Sequence, residues 1–184
     1  MQKNQTGLRG FWGTCSMVVA VLVGSLTPAL ADEKILGDFI GSWQSDDSAF
    51  GRVARSTLSW TPTLDGKFVR LQYAIRTKEP ANEKPFFSGI AYYKQMDTKF
   101  LSAFWADSIG DLHPIRATLT DKTLVAIWGK AGEKQGRTQY QIHDTGLMTV
   151  TDWILGDDGW RQFNQINFTR DKPVTENPMR EDMK

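Results

Sequence analysis

An alternation of apolar and polar side chains with a period of two residues runs through most of this chain and constrains its fold more than any other feature. Such alternation is typical of β-strands. Short segments rich in Asp and Gly interrupt it, as at Leu64–Lys67, Asp144–Gly146 and Gly156–Gly159, and these residues favour tight reversals. The pattern predicts ten strands: Ser42–Ser45, Arg55–Thr61, Phe68–Arg76, Phe86–Gln95, Lys99–Asp107, Pro114–Thr120, Thr123–Gly129, Arg137–His143, Leu147–Leu155 and Trp160–Thr169.

Short reversals place each strand beside the next one in antiparallel orientation. A row of ten twisted strands cannot stay flat with two unpaired edges, so it closes into a barrel or splits into a sandwich, and we favour the barrel. The sequence therefore predicts an all-β fold, a closed antiparallel up-and-down β-barrel of about 8 to 10 strands. The stretch Ile35–Ile40, which ends at Gly41, predicts a short N-terminal helix before the first strand.

Residues 1–31 have the composition of a secretory signal peptide. Lys3 and Arg9 precede the apolar segment Met17–Leu26, and Ala29-Leu30-Ala31 has the small-x-small pattern of a cleavage site. An uncleaved membrane anchor is the alternative, but it needs about 18 to 20 apolar residues. We expect cleavage before Asp32, a barrel domain over 32–170, a flexible C-terminal tail over 171–184, and a periplasmic or secreted location.

The charge balance and the cysteine count exclude several classes of partner and site. Lys and Arg number 22 against 21 Asp and Glu, so no excess charge attracts nucleic acid. The only thiol, Cys15, leaves with the predicted signal, and the two His residues, His113 and His143, stand far apart in the chain. We therefore expect no metal, no cofactor, no stable membrane insertion after cleavage, and a monomer or weak dimer.

Several predicted strands carry mixed side chains on both faces, which indicates a lumen with polar groups as well as a dry core. A small closed barrel can hold one ligand. The expected partner is a small hydrophobic or amphipathic molecule in a largely apolar internal site. The candidate ligand-binding residues are Arg70, Trp105, Asp107, His113, Arg116, Trp128, Tyr140 and Asp152.

Two of these candidates also have a simpler structural interpretation. Asp107, with Ser108 and Gly110, is expected to end a strand and to accept hydrogen bonds from the following loop, which would leave ligand contact to His113 or Arg116. Asp152 is expected to face solvent. If it faced inward, it would be desolvated and would need a partner such as Arg70, Arg116 or Tyr140.

Two other functions stay open at this point. The same barrel could be an enzyme, an isomerase or hydrolase that uses Asp107 or His113. A nucleophilic Ser108 would need a hydrogen bond to His113, and it lacks the Gly-x-Ser-x-Gly turn that usually presents such a serine. A structural or interaction module with a filled barrel is the third possibility, and it would have no pocket beyond about one water molecule.

Several segments resemble a known protein group. Gly41-Ser42-Trp43 resembles the Gly-x-Trp opening of lipocalin-like (calycin) barrels, in which the Trp closes the barrel floor. The ordered series Leu64–Val69, Phe87–Tyr93 and Trp105–Gly110 resembles the bacterial proteins grouped as DUF1579. This resemblance implies the fold but no settled activity. The related nitrobindin-like barrels hold haem through a His near the C-terminal strands; because no His follows His143, no haem is expected.

Overall fold

The computed structural model describes residues 36–78 and 84–171 as a β-barrel. The predicted signal over 1–31, the expected start at Asp32 and the tail beyond Asp171 lie outside the described residues. The strands are β1 (Gly41–Ser45), β2 (Ser48–Ala49), β3 (Arg52–Thr63), β4 (Phe68–Thr77), β5 (Phe87–Gln95), β6 (Phe100–Asp107), β7 (Leu112–Thr120), β8 (Thr123–Gly129), β9 (Gln135–Ile142), β10 (Met148–Gly156) and β11 (Gly159–Arg170).

The barrel closes through β1, which pairs with both β3 and β11. Trp43 lies opposite Leu58 on one side, and Gln44 lies opposite Thr169 on the other. All other consecutive strands from β3 to β11 pair as antiparallel neighbours, so ten strands form the closed sheet, and β2 pairs with β3 beside it. The predicted closed up-and-down barrel is confirmed, at the upper end of the expected strand number.

The expected N-terminal helix is not formed as an α-helix. A three-residue 3-10 turn, Gly37–Phe39, takes its place. Leu36 has a left-handed φ of 54° and Ile40 has an extended ψ of 132°, so neither end can continue a helix. Within the described ranges, no helix is long and apolar enough to cross a membrane.

The floor of the barrel is built around Trp43, whose side chain is 1% exposed. Its indole Nε1 donates a hydrogen bond to the carbonyl of Phe39 at 2.9 Å. The guanidinium of Arg170 lies 4.2 Å from the ring centroid of Trp43 and donates to the carbonyls of Asp38 and Ile40. The first and last strands of the described barrel are thereby joined at the floor, which Trp43 closes.

A bulge changes the alternation near the start of β11. Asp152 lies opposite Asn164, but the next residue, Trp153, lies opposite Gln162, so Phe163 is an extra residue in β11. Side chains on the two sides of the bulge therefore follow opposite parity. Asn164 is buried in the interior, and Arg161, which simple alternation assigns to the opposite face, lines the interior cavity.

Candidate functional site

A cavity of about 480 Å³ occupies the barrel at the end away from the Trp43 floor. Its inner end is formed by the buried side chains of Tyr93, Ile115, Ala126 and Tyr140. Its mouth is lined by exposed apolar side chains, which are Phe50, Ile109 and Phe163. The volume is within the range of about 300 to 1,000 Å³ that is usual for small-molecule sites.

Two tryptophans of the cavity wall lie flat on glycines of the neighbouring strand. A Cβ added at Gly136 would lie 1.9 Å from Cζ2 of Trp128, and one added at Gly89 would lie 2.1 Å from Cζ2 of Trp105. The other two nearest atoms at each glycine belong to the same indole ring. Each ring therefore covers the glycine with one face and turns the other face towards the lumen. The two glycines keep these large side chains on the wall, so the space inside stays open.

Asp107 fixes both the Trp105 ring and the loop after β6. Its Oδ2 accepts a hydrogen bond from Trp105 Nε1 at 2.9 Å. Its Oδ1 accepts from the backbone amides of Ile109 and Asp111, both at 3.1 Å. The expected loop-capping role of Asp107 is confirmed, and the same carboxylate also holds one aromatic wall of the cavity in place.

His113 lies beside the second aromatic wall. Its ring centroid is 5.2 Å from that of Trp128, and its Nε2 is 3.5 Å from a carboxylate oxygen of Asp111. Asp111 also pairs with Lys134 at 2.7 Å, and this ammonium group lowers the pKa of the Asp111 carboxyl. Lys134, a cationic side chain at the mouth, is thus already paired with a carboxylate.

Asp152 faces the cavity, so the expectation that it faces solvent is wrong. On β10 it has the same parity as Met148 and Val150, which are buried in the interior. It does not find the partners that the sequence suggested: Thr138 Oγ1 donates to its Oδ1 at 2.7 Å, and Asn164 Nδ2 donates to its Oδ2 at 2.9 Å. Burial raises the pKa of the Asp152 carboxyl, although these two hydrogen bonds oppose the shift.

Three tyrosines contribute hydroxyl groups to the same lumen. Burial raises the pKa of Tyr73, Tyr93 and Tyr140 above the ordinary value, and the negative charge of Asp152 adds to this effect at Tyr73 and Tyr140. All three hydroxyls therefore stay protonated at neutral pH. The Tyr140 hydroxyl donates to that of Tyr93, so the lumen offers a ligand aromatic surface together with hydroxyl oxygens that can accept hydrogen bonds.

Six of the eight candidate site residues line one cavity: Trp105, Asp107, His113, Trp128, Tyr140 and Asp152. Arg70 and Arg116 do not line it, because each lies on the outer face of its strand. Arg116 stands between the inward-facing Ile115 and Ala117 and is exposed. Arg70 stands between the fully buried Val69 and Leu71, opposite Tyr92 of β5.

The cavity also has lining residues that were not expected from the sequence, and those at its mouth include Phe50, Lys134, Arg161 and Phe163. The bulge brings Arg161 and Phe163 to the mouth, and no feature of the sequence marks it. Phe50 follows the two-residue strand β2, adopts a left-handed φ of 50°, and stacks on Phe163 with 6.2 Å between ring centroids. These contacts link the two sides of the mouth.

The geometry that a nucleophilic serine would need is not formed. Ser108 Oγ accepts a hydrogen bond from the Ser88 amide at 3.0 Å, and Asp107 uses both carboxylate oxygens within its own strand and loop. In the described part of the chain, no group of three or more His, Cys, Asp or Glu side chains is placed to hold a metal ion.

Comparisons with known proteins add a resemblance at the level of the fold. No protein-family model matches the sequence. No curated protein matches it either. Among solved structures, a point mutant of the fluorescent protein UnaG is similar with a TM-score of 0.48 and 16% identity, over 76% of this chain and 100% of that chain. The closed antiparallel barrel with its Trp43 floor follows from this chain's own strand pairing and contacts.

Proposed function

We propose that this protein binds a small, flat, largely apolar molecule inside its barrel. The observation that carries this proposal is the cavity of about 480 Å³, whose wall includes the indole rings of Trp105 and Trp128. Flat aromatic walls favour a flat ligand, because stacked rings gain dispersion energy over their whole area. A few polar groups among them, such as Asp152 and Tyr140, would orient the ligand.

The cavity speaks against the alternative of a filled structural barrel. Its volume is many times the roughly 30 Å³ that one water molecule occupies in the liquid. The wall also contains two glycines whose absence of a side chain keeps the lumen open. A barrel that served only as a structural module would gain stability by filling this space.

The contacts of Asp107 favour a binding function over catalysis by that residue. Asp107 Oδ1 already accepts two hydrogen bonds from the loop, and its Oδ2 accepts one from Trp105. A general base needs a free lone pair that reaches the substrate proton, and this carboxylate keeps at most one acceptor position, on the oxygen that holds the Trp105 indole. His113 remains beside the lumen, where it would contact a bound molecule as part of the wall.

Retinol binding provides the test. Retinol is flat, apolar and uncharged, and energy transfer from cavity tryptophans to it would report its position. We expect saturable quenching of tryptophan fluorescence at micromolar retinol, and native mass spectrometry to detect a copurified small molecule or the retinol complex.

Trp128→Ala should weaken retinol binding at least tenfold. Arg116→Ala, on the outer face, is the matched control and should bind as the unmodified protein does. Absence of any bound or bindable molecule would refute the proposed function.

We further propose that the protein is exported to the periplasm or secreted, and that it acts as a monomer or weak dimer. The signal-like composition of residues 1–31 supports export. The ordered segments Leu64–Val69, Phe87–Tyr93 and Trp105–Gly110 support membership of the DUF1579 group. Fractionation of expressing cells tests export, and sedimentation of the purified protein tests its oligomeric state.

A further inference from the structure

We propose that the ligand carries a protonated amine at its buried end, and that Asp152 binds this nitrogen between the aromatic walls of the cavity. This inference rests on the proposed function and names the chemical class of its ligand. It follows from three observations: the free hydrogen-bonding capacity of Asp152, the orientation of the surrounding rings, and the position of the basic side chains.

Asp152 has hydrogen-bonding capacity that the protein does not use. Each carboxylate oxygen can accept about two hydrogen bonds. Thr138 supplies one to Oδ1 and Asn164 supplies one to Oδ2. Within residues 36–78 and 84–171, no basic side chain forms an ion pair with Asp152. Each oxygen thus keeps an acceptor position, and the carboxyl group borders the cavity.

Aromatic rings line the cavity that this carboxyl borders, and they could contribute to binding a cation. A cation is attracted to the face of a ring, not to its edge. Trp105 and Trp128 each cover a glycine with one face, so the opposite face is turned to the lumen. Tyr73 and Tyr140 line the same cavity. An ammonium group at Asp152 would therefore have a carboxylate and aromatic surface as neighbours, which together replace much of its lost hydration.

The basic side chains of the cavity lie nearer its mouth than Asp152 does, and Arg161 is opposite Ile154, two residues after Asp152 on β10. Lys134 and Arg161 are exposed residues of the mouth, and Lys134 is already paired with Asp111. An anionic group on the ligand would meet Asp152 if it entered the inner cavity, and a carboxylate there would be repelled. A ligand whose buried end is anionic is accordingly disfavoured. A negative group at the outer end would instead lie near Arg161.

Burial raises the pKa of the Asp152 carboxyl. A bound ammonium group would oppose that shift, because a nearby positive charge favours the ionised carboxylate. The amine would thus bind to the ionised form of Asp152 and stabilise it. The isosteric change Asp152→Asn removes this charge and keeps the size of the side chain.

Three naphthalene derivatives of nearly equal size provide the test: naphthylmethylamine, naphthalenemethanol and naphthoic acid, which are cationic, neutral and anionic at pH 7. Calorimetric titration of the purified protein should show the amine binding at least tenfold more tightly than the alcohol, and the acid more weakly than either. Asp152→Asn should lower the amine affinity at least tenfold and leave the alcohol affinity within about twofold. Asp157→Asn, in an exposed turn, is the control and should change neither.

The possible outcomes separate the two proposals. If the alcohol binds and the amine has no advantage over it, the inference about Asp152 is refuted while the cavity remains a binding site. The inference is refuted in the same way if the amine binds equally well to Asp152→Asn. If none of the three compounds binds and the retinol test is also negative, the binding function itself fails. The ligand comparison uses the unmodified protein, so it remains decisive even if Asp152→Asn does not fold.

Discussion

Trp128 lies against Gly136 so closely that a Cβ on this glycine would be 1.9 Å from Cζ2 of the indole. The two residues are direct cross-strand partners on β8 and β9. Real Cβ atoms do not approach other atoms so closely, because steric repulsion rises steeply below van der Waals contact. The glycine therefore determines where the largest side chain of this wall can lie.

Gly136→Ala should move the Trp128 ring off the wall and into the lumen. We expect retinol affinity to fall at least tenfold, and the free energy of unfolding to fall by about 1 to 3 kcal/mol through overpacking. Fluorescence titration and urea unfolding measure the two effects. Gly156→Ala is a matched control on β10, because its added Cβ would lie 3.9 Å from the Gly159 carbonyl, an ordinary contact. Equal behaviour of the two variants would contradict the role of Gly136.

Asp107→Ala should destabilise the barrel without abolishing its fold. The change removes the acceptor for Trp105 Nε1 and for the amides of Ile109 and Asp111. Hydrogen bonds to a carboxylate are strong, but water can replace those in the solvated loop. We therefore expect the free energy of unfolding to fall by about 2 to 3 kcal/mol. Thermal unfolding measures it, with Asp157→Ala as the exposed control expected within about 0.5 kcal/mol of the unmodified protein. A loss no larger than the control's would show that water replaces these bonds.

Arg170→Ala should weaken the closed floor of the barrel. The guanidinium stacks on Trp43 and donates to two carbonyls at the 3-10 turn. Because Arg170 is partly solvated, we expect a loss of about 1 to 2 kcal/mol in the free energy of unfolding. Arg170→Lys keeps the charge but not the planar group, so it should lose nearly as much. Full stability in Arg170→Lys would indicate that charge alone matters at this position.

Much of the barrel could be predicted from the sequence, because a strand with a buried face shows its period directly. The predicted strand Thr123–Gly129 has the observed bounds, and the other predicted strands correspond to observed ones with shifts at their ends. The strand β2 could not be predicted, since two residues are too few to show alternation. The predicted N-terminal helix is not supported beyond the 3-10 turn Gly37–Phe39, because Leu36 adopts a left-handed conformation, which apolar periodicity does not reveal.

The residues that line the cavity could be predicted less completely, because the sequence does not settle which way each side chain points. Alternation along β10 does indicate that Asp152 faces inward, because Met148 and Val150 share its face. A carboxylate between apolar residues more often faces solvent, however, so the outward direction was expected. The prediction that Arg116 lies in the lumen is wrong because Ile115 and Ala117 on either side face inward. Arg161 could not be found by alternation, because the bulge at Phe163 reverses which alternate residues of β11 face inward. No characteristic residue type marks this bulge in the sequence.

Asp152→Asn should change the pH dependence of stability in one direction. Burial raises the pKa of this carboxyl above the value of 3.8 that it has in an unfolded chain. Between pH 3.8 and the higher folded-state pKa, the folded protein binds more protons than the unfolded chain does. The free energy of unfolding therefore falls as pH rises through this range. The contribution of Asp152 is thus fully present below pH 3.8 and is lost as pH rises through the folded-state pKa.

Urea unfolding from pH 4 to pH 8 should show the variant gaining stability relative to the unmodified protein as pH rises. The exposed carboxyls whose pKa values are lowered, such as Asp46 and Asp144, are present in both proteins, so their opposite effect cancels in the difference. A relative loss for the variant at neutral pH would mean instead that the fold stabilises the ionised carboxylate.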